Sequence, residues 1–280
     1  MNPVDALVHS TVKIIVKRND NKVSSGTGFH TGFNQPGNCH VPAIITNKHV
    51  IENAKTITFI ITLADEKGQP IVGNQVHLEL DNFRENLYEH PTVDLAMFLV
   101  GPLIAQAKEK GLSLFYNPIA LELIPSDERR KSFAYMEDIM MIGYPNGISD
   151  IKHNLPVIRR GVTATNCNID FNGKPEFLTD IASFPGSSGS PVFLVSLGGF
   201  LDQGGKYQLG KNRLHFIGVH YAGATHTAEG EIKIKTAPTS NMAFPLTEIP
   251  MNIGVVINSK EILYFERLVS ERLKEIKAKV

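Results

Sequence analysis

The chain has 280 residues, 42% hydrophobic and 20% charged, the composition of a globular protein long enough for one large or two small domains. Lys plus Arg number 28 and so do Asp plus Glu, so the formal net charge is zero. That balance argues against nucleic acid or an anionic membrane as a main partner. Two cysteines, Cys39 and Cys167, allow one disulfide at most and exclude a disulfide framework.

Residues 1–16 carry an acid at Asp5 and no early basic cluster, and their apolar positions alternate with polar ones. This is not the pattern of a signal or transit peptide. No run approaches the ~18 apolar residues of a membrane span. The expectation is a soluble protein of a reducing compartment, cytoplasmic unless a secretory leader has been removed.

Residues 11–17 read as a strand on their β-branched content. Residues 25–33 form a strand interrupted by glycines, which mark bulges or close backbone approach. Pro42–Thr46 is a short apolar strand ending at Asn47–Lys48–His49–Val50. Residues 55–63, Val76–Leu80 and Val93–Val100 follow, the last carrying Asp94 near its start. About six short strands in a hundred residues predict a sandwich or a closed barrel. A connecting segment of mixed composition spans roughly 102–135.

The second half repeats this style. Strands are expected at Ile139–Gly143, Val157–Thr165, Phe177–Thr179, Val192–Val195, Leu214–Val219 and Asn241–Phe244, with exposed turns or loops at 202–212 and 226–238. At the end, Asn258–Ser259–Lys260–Glu261 reads as a capping box. Beyond it Ile262, Phe265, Val269, Leu273 and Ile276 recur at helical spacing, predicting an amphipathic helix over 259–278 that packs across the strands; the alternative is a partner-binding helix.

The most informative stretch is Phe184–Pro185–Gly186–Ser187–Ser188–Gly189–Ser190–Pro191. Gly186 and Gly189 can adopt backbone conformations closed to other residues. Such a loop can turn N–H groups toward a point in front of a hydroxyl, as an oxyanion requires; taken alone, the alternative is a plain Gly/Ser/Pro surface turn. A serine hydroxyl needs an adjacent base, histidine suits that task, and the imidazole needs a carboxylate to fix its tautomer. Three residues in suitable settings occur in the order His49, Asp94, Ser188.

That order, with the serine in Gly-x-Ser-Gly, resembles the chymotrypsin-like proteases. Thr46–Asn47–Lys48–His49–Val50, Val93–Asp94–Leu95–Ala96, Gly143–Tyr144–Pro145 and Gly186–Pro191 are similar to the bacterial trypsin-like peptidases, including the glutamyl endopeptidases and the high-temperature-requirement proteases. The resemblance implies an all-β fold of two six-stranded antiparallel β-barrels, chymotrypsin-like, with catalytic residues in the cleft between them. It places an N-terminal barrel at 1–115 with His49 and Asp94, a C-terminal barrel at 116–257 with Ser188, and the C-terminal helix at 258–280. It implies a serine endopeptidase acting on protein or peptide through an acyl-enzyme. The oxyanion hole it implies is formed by the N–H groups of Gly186 and Ser188. Trypsin-type zymogens carry an acid just before the nucleophile. Here that position is Ser187, so no ion pair with a newly cut N-terminal amine is expected.

By the same resemblance, Ala182, Ser183, His220, Tyr221 and Gly223 line the pocket for the residue before the scissile bond. An acid is missing at Ala182, which argues against cleavage after Lys or Arg. A histidine at His220 and a hydroxyl at Ser183 can both donate to a carboxylate or amide, pointing to cleavage after Glu or Gln; the alternative is that His220 is a buried strand residue bonded to protein. His215 and His226 stand near this pocket, but no metal spacing such as His-Glu-x-x-His occurs, so no metal or cofactor is expected. Arg159–Arg160 reads as a solvated pair. Two other functional readings stay open: a catalytically silent protease-like peptide-binding module, and a protease activated only by a partner. Oligomeric state is not readable.

Overall fold

The computed structural model describes residues 3–35, 39–80, 82–145, 149–202, 204–229 and 246–278. Its first half is a seven-stranded antiparallel sheet in the order β5-β4-β1-β2-β3-β7-β6. The strands are β1 Thr11–Arg18, β2 Val23–Gln35, β3 Cys39–Thr46, β4 Ala54–Ala64, β5 Pro70–Leu80, β6 Leu87–Glu89 and β7 Ala96–Leu99. Alternation explains β1: Val12, Ile14 and Val16 are buried, while Ile15 between them is only partly covered. The expected strand-built N-terminal unit is present as a barrel-like sheet, with one strand more than the six read from the sequence. A short seventh strand, β6, pairs with β7, and among the described residues the sheet runs from β5 at one end to β6 at the other. Much of β5 is exposed, so no apolar stripe drives it inward.

The glycines of β2 do have a close neighbour. A Cβ on Gly26 would lie 2.5 Å from Val50 Cγ1, and one on Gly28 would lie 2.9 Å from both Ile14 and Ile44. Gly26 thereby lets the one-turn helix α2, Lys48–Ile51, lie flat on the sheet. α2 carries His49.

The second half holds a closed six-stranded barrel, β10-β15-β14-β11-β8-β9. These strands are β8 Asp138–Gly143, β9 Val157–Thr163, β10 Glu176–Asp180, β11 Pro191–Ser196, β14 Arg213–Glu229 and β15 Leu246–Asn258. A separate hairpin, β12 Gly199–Leu201 and β13 Tyr207–Leu209, occupies part of the segment read as turns. Residues 226–229, also read as loop, continue β14, whereas 230–238 and the strand expected at Asn241–Phe244 lie outside the described residues. Between the halves the mixed segment contains a helix, α3 Gly101–Glu109, started by Pro102 and burying Leu103 and Ala107.

Each half has its own core. Ile14, Ile44, Phe59 and Phe98 belong to the first, and Phe133, Met141, Phe177 and Leu194 to the second. A third cluster spans the seam. In it Phe29, Phe33 and Ile45 of the sheet meet Phe193, Phe216 and Val219 of the barrel, with Ile262, Phe265 and Val269 over both. Each large side chain buried there contributes on the order of 2 kcal/mol. The last three come from the C-terminal segment, a 3₁₀ turn at Ser259–Ile262 leading into α5, Leu263–Ala278. The capping box is present only in half: Asn258 Oδ1 accepts the N–H of Lys260 at 3.1 Å, but Glu261 turns away to His90 Nε2 at 3.4 Å.

The barrel also contains a buried ion pair. Arg213 Nη1 and Nη2 donate to the two oxygens of Glu137 at 3.1 and 2.5 Å, and the guanidinium lies 3.8 Å over the Phe200 ring.

Candidate active site

Asn47, His49 and Asp94 meet where β3 ends and β7 begins. The imidazole Nδ1 of His49 lies 2.5 Å from Asp94 Oδ2, and the His49 N–H donates to Asp94 Oδ1 at 3.1 Å. Buried Asn47 donates Nδ2 to the Asp94 carbonyl at 2.7 Å, so the acid is held by side chain and backbone alike. Burial pushes the Asp94 carboxyl up. The His49 hydrogen bond and charge, with the N–H groups of His49 and Lys48, outweigh it and leave the carboxyl below its ordinary range. Nε2 of His49 has no protein partner among the described residues. Sequence reasoning did not single out Asn47. Its only signal was its place one residue before a helix start.

Ser188 comes from the other half of the chain, and Thr27 of β2 ties it down. The Thr27 N–H donates to Ser188 O at 2.9 Å, and Thr27 Oγ1 donates to Gly186 O at 2.9 Å. Thr27 Oγ1 also accepts the Tyr144 N–H at 3.0 Å, and its carbonyl accepts Thr46 Oγ1 at 2.7 Å. One threonine thus joins the serine loop, the end of β8 and the strand leading to His49. Nothing local in the sequence announces this role, because each partner is remote along the chain.

Gly189 has φ +86°, and a Cβ there would fall 1.8 Å from Thr27 O. Only glycine fits that contact. Gly186 also has positive φ, +89°. The Ser187 N–H donates to Phe184 O at 3.0 Å, whereas the N–H groups of Gly186 and Ser188 have no acceptor among the described residues. Ser187 is buried, and its hydroxyl accepts the Phe184 N–H at 3.3 Å. The Ser188 hydroxyl donates to Tyr221 O at 3.3 Å, and no hydrogen bond links it to His49.

The residues expected to line the specificity pocket also converge. Ser183 Oγ and His220 Nε2 are 2.8 Å apart, and both residues are buried. A Cβ on Gly223 would lie 2.7 Å from Ser183 Oγ, and one on Gly254 would lie 3.1 Å from the His220 ring. Gly223 and Gly254 pair across β14 and β15, so two missing side chains leave room around Ser183 and His220. Gly254 was not foreseen. Burial, aided by the charges of Arg159 and His49, pushes the His220 pKa down to about 3, so its ring is neutral at pH 7. Tyr221 contributes the carbonyl that receives Ser188, and Ala182 contributes its carbonyl to Arg159 Nη1 at 2.5 Å. The expectation of a solvated Arg159–Arg160 pair is therefore corrected in one member: Arg160 is exposed against Asp138 at 3.2 Å, but Arg159 is tucked beneath Ala182. Alternation along β9 separates the two faces.

An open cleft of about 500 Å³ adjoins His49 and Asp94, lined among others by Phe83, Arg84, Glu52 and Glu89. Among the described residues no three His, Cys, Asp or Glu side chains are grouped as metal ligands. Cys167 is a buried free thiol, its pKa raised to about 11 by burial.

The chain resembles the HtrA-type protease AlgW, solved with a tripeptide, at 15% identity and a TM-score of 0.50, over 96% of this chain and 64% of that one. It also resembles the active form of the Rv3671c protease of M. tuberculosis at 18% identity and a TM-score of 0.44, over 94% and 82%. The serine endoprotease of Yersinia pestis matches at 14% identity and a TM-score of 0.43, over 80% and 58%. No curated protein sequence matches significantly. Residues 26–199, more than half of the chain, match the family model of the trypsin-like peptidase domain. The chain therefore belongs to the trypsin-like peptidase family and is by class a serine-type endopeptidase.

Proposed function

We propose that Ser188 is the nucleophile, His49 the general base and Asp94 the group that orients it, and that the enzyme cleaves protein or peptide chains after Glu or Gln. The observation that carries this reading is the double hold of Asp94 on His49, at 2.5 Å on Nδ1 and 3.1 Å on the backbone N–H. A carboxylate on Nδ1 keeps the proton there and leaves the Nε2 lone pair to act as base. Ser188 Oγ then attacks the scissile carbonyl carbon as its proton passes to Nε2. The carbonyl oxygen takes up the negative charge, and the unpaired N–H groups of Gly186 and Ser188 are suited to receive it. The imidazolium returns its proton to the leaving amine, and water hydrolyses the acyl-Ser188 ester by the same steps. Ser188 must first turn from Tyr221 O, a long hydrogen bond whose loss costs about 1 kcal/mol or less.

The specificity reading rests on Ser183 and His220. When His220 Nε2–H donates to Ser183 Oγ, the Ser183 hydrogen remains for a substrate oxygen; His220 Nδ1 is buried against Gly254 and does not serve.

The Ser188–Tyr221 bond favours one further reading, a latent enzyme whose hydroxyl turns only when substrate or a partner arrives. A fluorophosphonate probe separates the two. Rapid labelling of the isolated protein, abolished in Ser188→Ala, supports the competent triad. Labelling only after peptide is added supports latency. Equal labelling of Ser188→Ala refutes Ser188 as nucleophile.

A further inference from the structure

Arg159 lies on β9 on the same face as Gly161. A Cβ on Gly161 would meet Asp180 O at 2.2 Å and Ile181 Cβ at 2.8 Å, so this face of β9 runs directly against the segment leading to the serine loop. Arg159 reaches along it to Ala182, next to Ser183, through Nη1. Its Nε and Nη2 are shut off from solvent and have no hydrogen-bond partner among the described residues. Among the described residues no carboxylate forms an ion pair with it. Burial lowers its pKa to about 10, which leaves it charged at pH 7. Its charge acts on the buried His220 ring, so guanidinium and imidazole belong to one electrostatic neighbourhood.

A half-buried cation with two idle donors and no counter-ion is an expensive arrangement unless something that binds there supplies the anion. The neutral His220 and Ser183 offer hydrogen bonds but no charge. We propose that Arg159 is a specificity-determining residue whose charge lets this pocket accept a carboxylate, so that the enzyme prefers Glu to Gln before the scissile bond. This rests on the Glu-or-Gln reading above and chooses within it. The hydrogen bond to Ala182 O is a scaffold contact, but among the described residues Nε and Nη2 hold nothing.

The test compares kcat/KM for three peptides identical except for Glu, Gln or Leu before the cleaved bond. A charged interaction of this kind is expected to favour Glu over Gln by about 10- to 100-fold in the wild type. In Arg159→Gln the ratio is expected to fall to about 1, whatever the change in the absolute rates. A residue that merely holds the loop would lower all three rates together and leave the ratio unchanged. If Arg159→Gln does not fold, Arg159→Lys, which keeps charge but loses the guanidinium fork, must still reduce the ratio by about threefold or more. A wild-type ratio of about 1 or less, or a ratio within about twofold of wild type in the folded variant, overturns the proposal. Equal wild-type cleavage after Leu, Glu and Gln instead removes the Glu-or-Gln reading itself.

Discussion

Replacing Asp94 by Asn exchanges one oxygen for an NH₂ group, and it is expected to cost the enzyme roughly four decades of kcat. Asp94 Oδ1 accepts the backbone N–H of His49 at 3.1 Å, so the amide oxygen of an asparagine must stay on that side. The NH₂ group then stands where Oδ2 was, 2.5 Å from Nδ1. A donor facing Nδ1 makes it an acceptor and sends the ring proton to Nε2, where the base needs a lone pair. The reverse orientation restores the tautomer but sets an NH₂ group against the His49 N–H. Four decades correspond to about 5 kcal/mol of lost transition-state stabilisation. The variant is close to isosteric, so its fold is expected to survive, checked by circular dichroism and a thermal melt. The assay is steady-state hydrolysis of a fluorogenic peptide at pH 7.5, with Ser188→Ala as the floor. A folded Asp94→Asn enzyme within about tenfold of wild type would refute the tautomer argument and with it the role assigned to Asp94.

Two further substitutions probe the frame. Gly189→Ala forces a Cβ into a site 1.8 Å from Thr27 O at φ +86°; left-handed strain of about 1–2 kcal/mol and overpacking of about 1–3 kcal/mol are expected to lower the melting temperature and abolish probe labelling. Wild-type melting and labelling would show that the loop does not dock on β2 as described. Arg213→Met leaves Glu137 charged and buried, at an expected cost of about 3–5 kcal/mol in urea unfolding, while labelling per folded molecule is unchanged. Adding Glu137→Leu is expected to recover most of that loss; a single variant as stable as wild type refutes the account.

Much of the fold was legible because strand signals are short-range. Alternation in β1 and the apolar run of β8 mark strands whatever they pair with. The seventh strand was not, since Leu87–Glu89 is three residues long and becomes a strand only by pairing with β7. α3 is hidden in the sequence by the mixed composition of 102–135, which reads as a connection, although Leu103 and Ala107 are spaced to share a buried face. At the site, His49, Asp94 and Ser188 were named from local setting and order. Arg159 departs from the expected solvated pair because adjacent residues of a strand point to opposite faces, and only Arg160 faces solvent.

Sequence alone determined the elements and the chemistry available: β-rich halves, a terminal amphipathic helix, a glycine-flanked serine, and a histidine and an aspartate at strand ends. These are properties of neighbours along the chain, set by steric freedom and apolar period. Tertiary structure alone decided that Thr27 joins the serine loop to the strand before His49, that Asp94 grips His49 at two atoms, that the Ser188 hydroxyl rests on Tyr221 O, and that Arg159 lies tucked beneath Ala182. Each of these depends on backbone groups tens of residues apart arriving within about 3 Å, the reach of a hydrogen bond. Only packing of the two sheets across their shared apolar seam fixes distances on that scale.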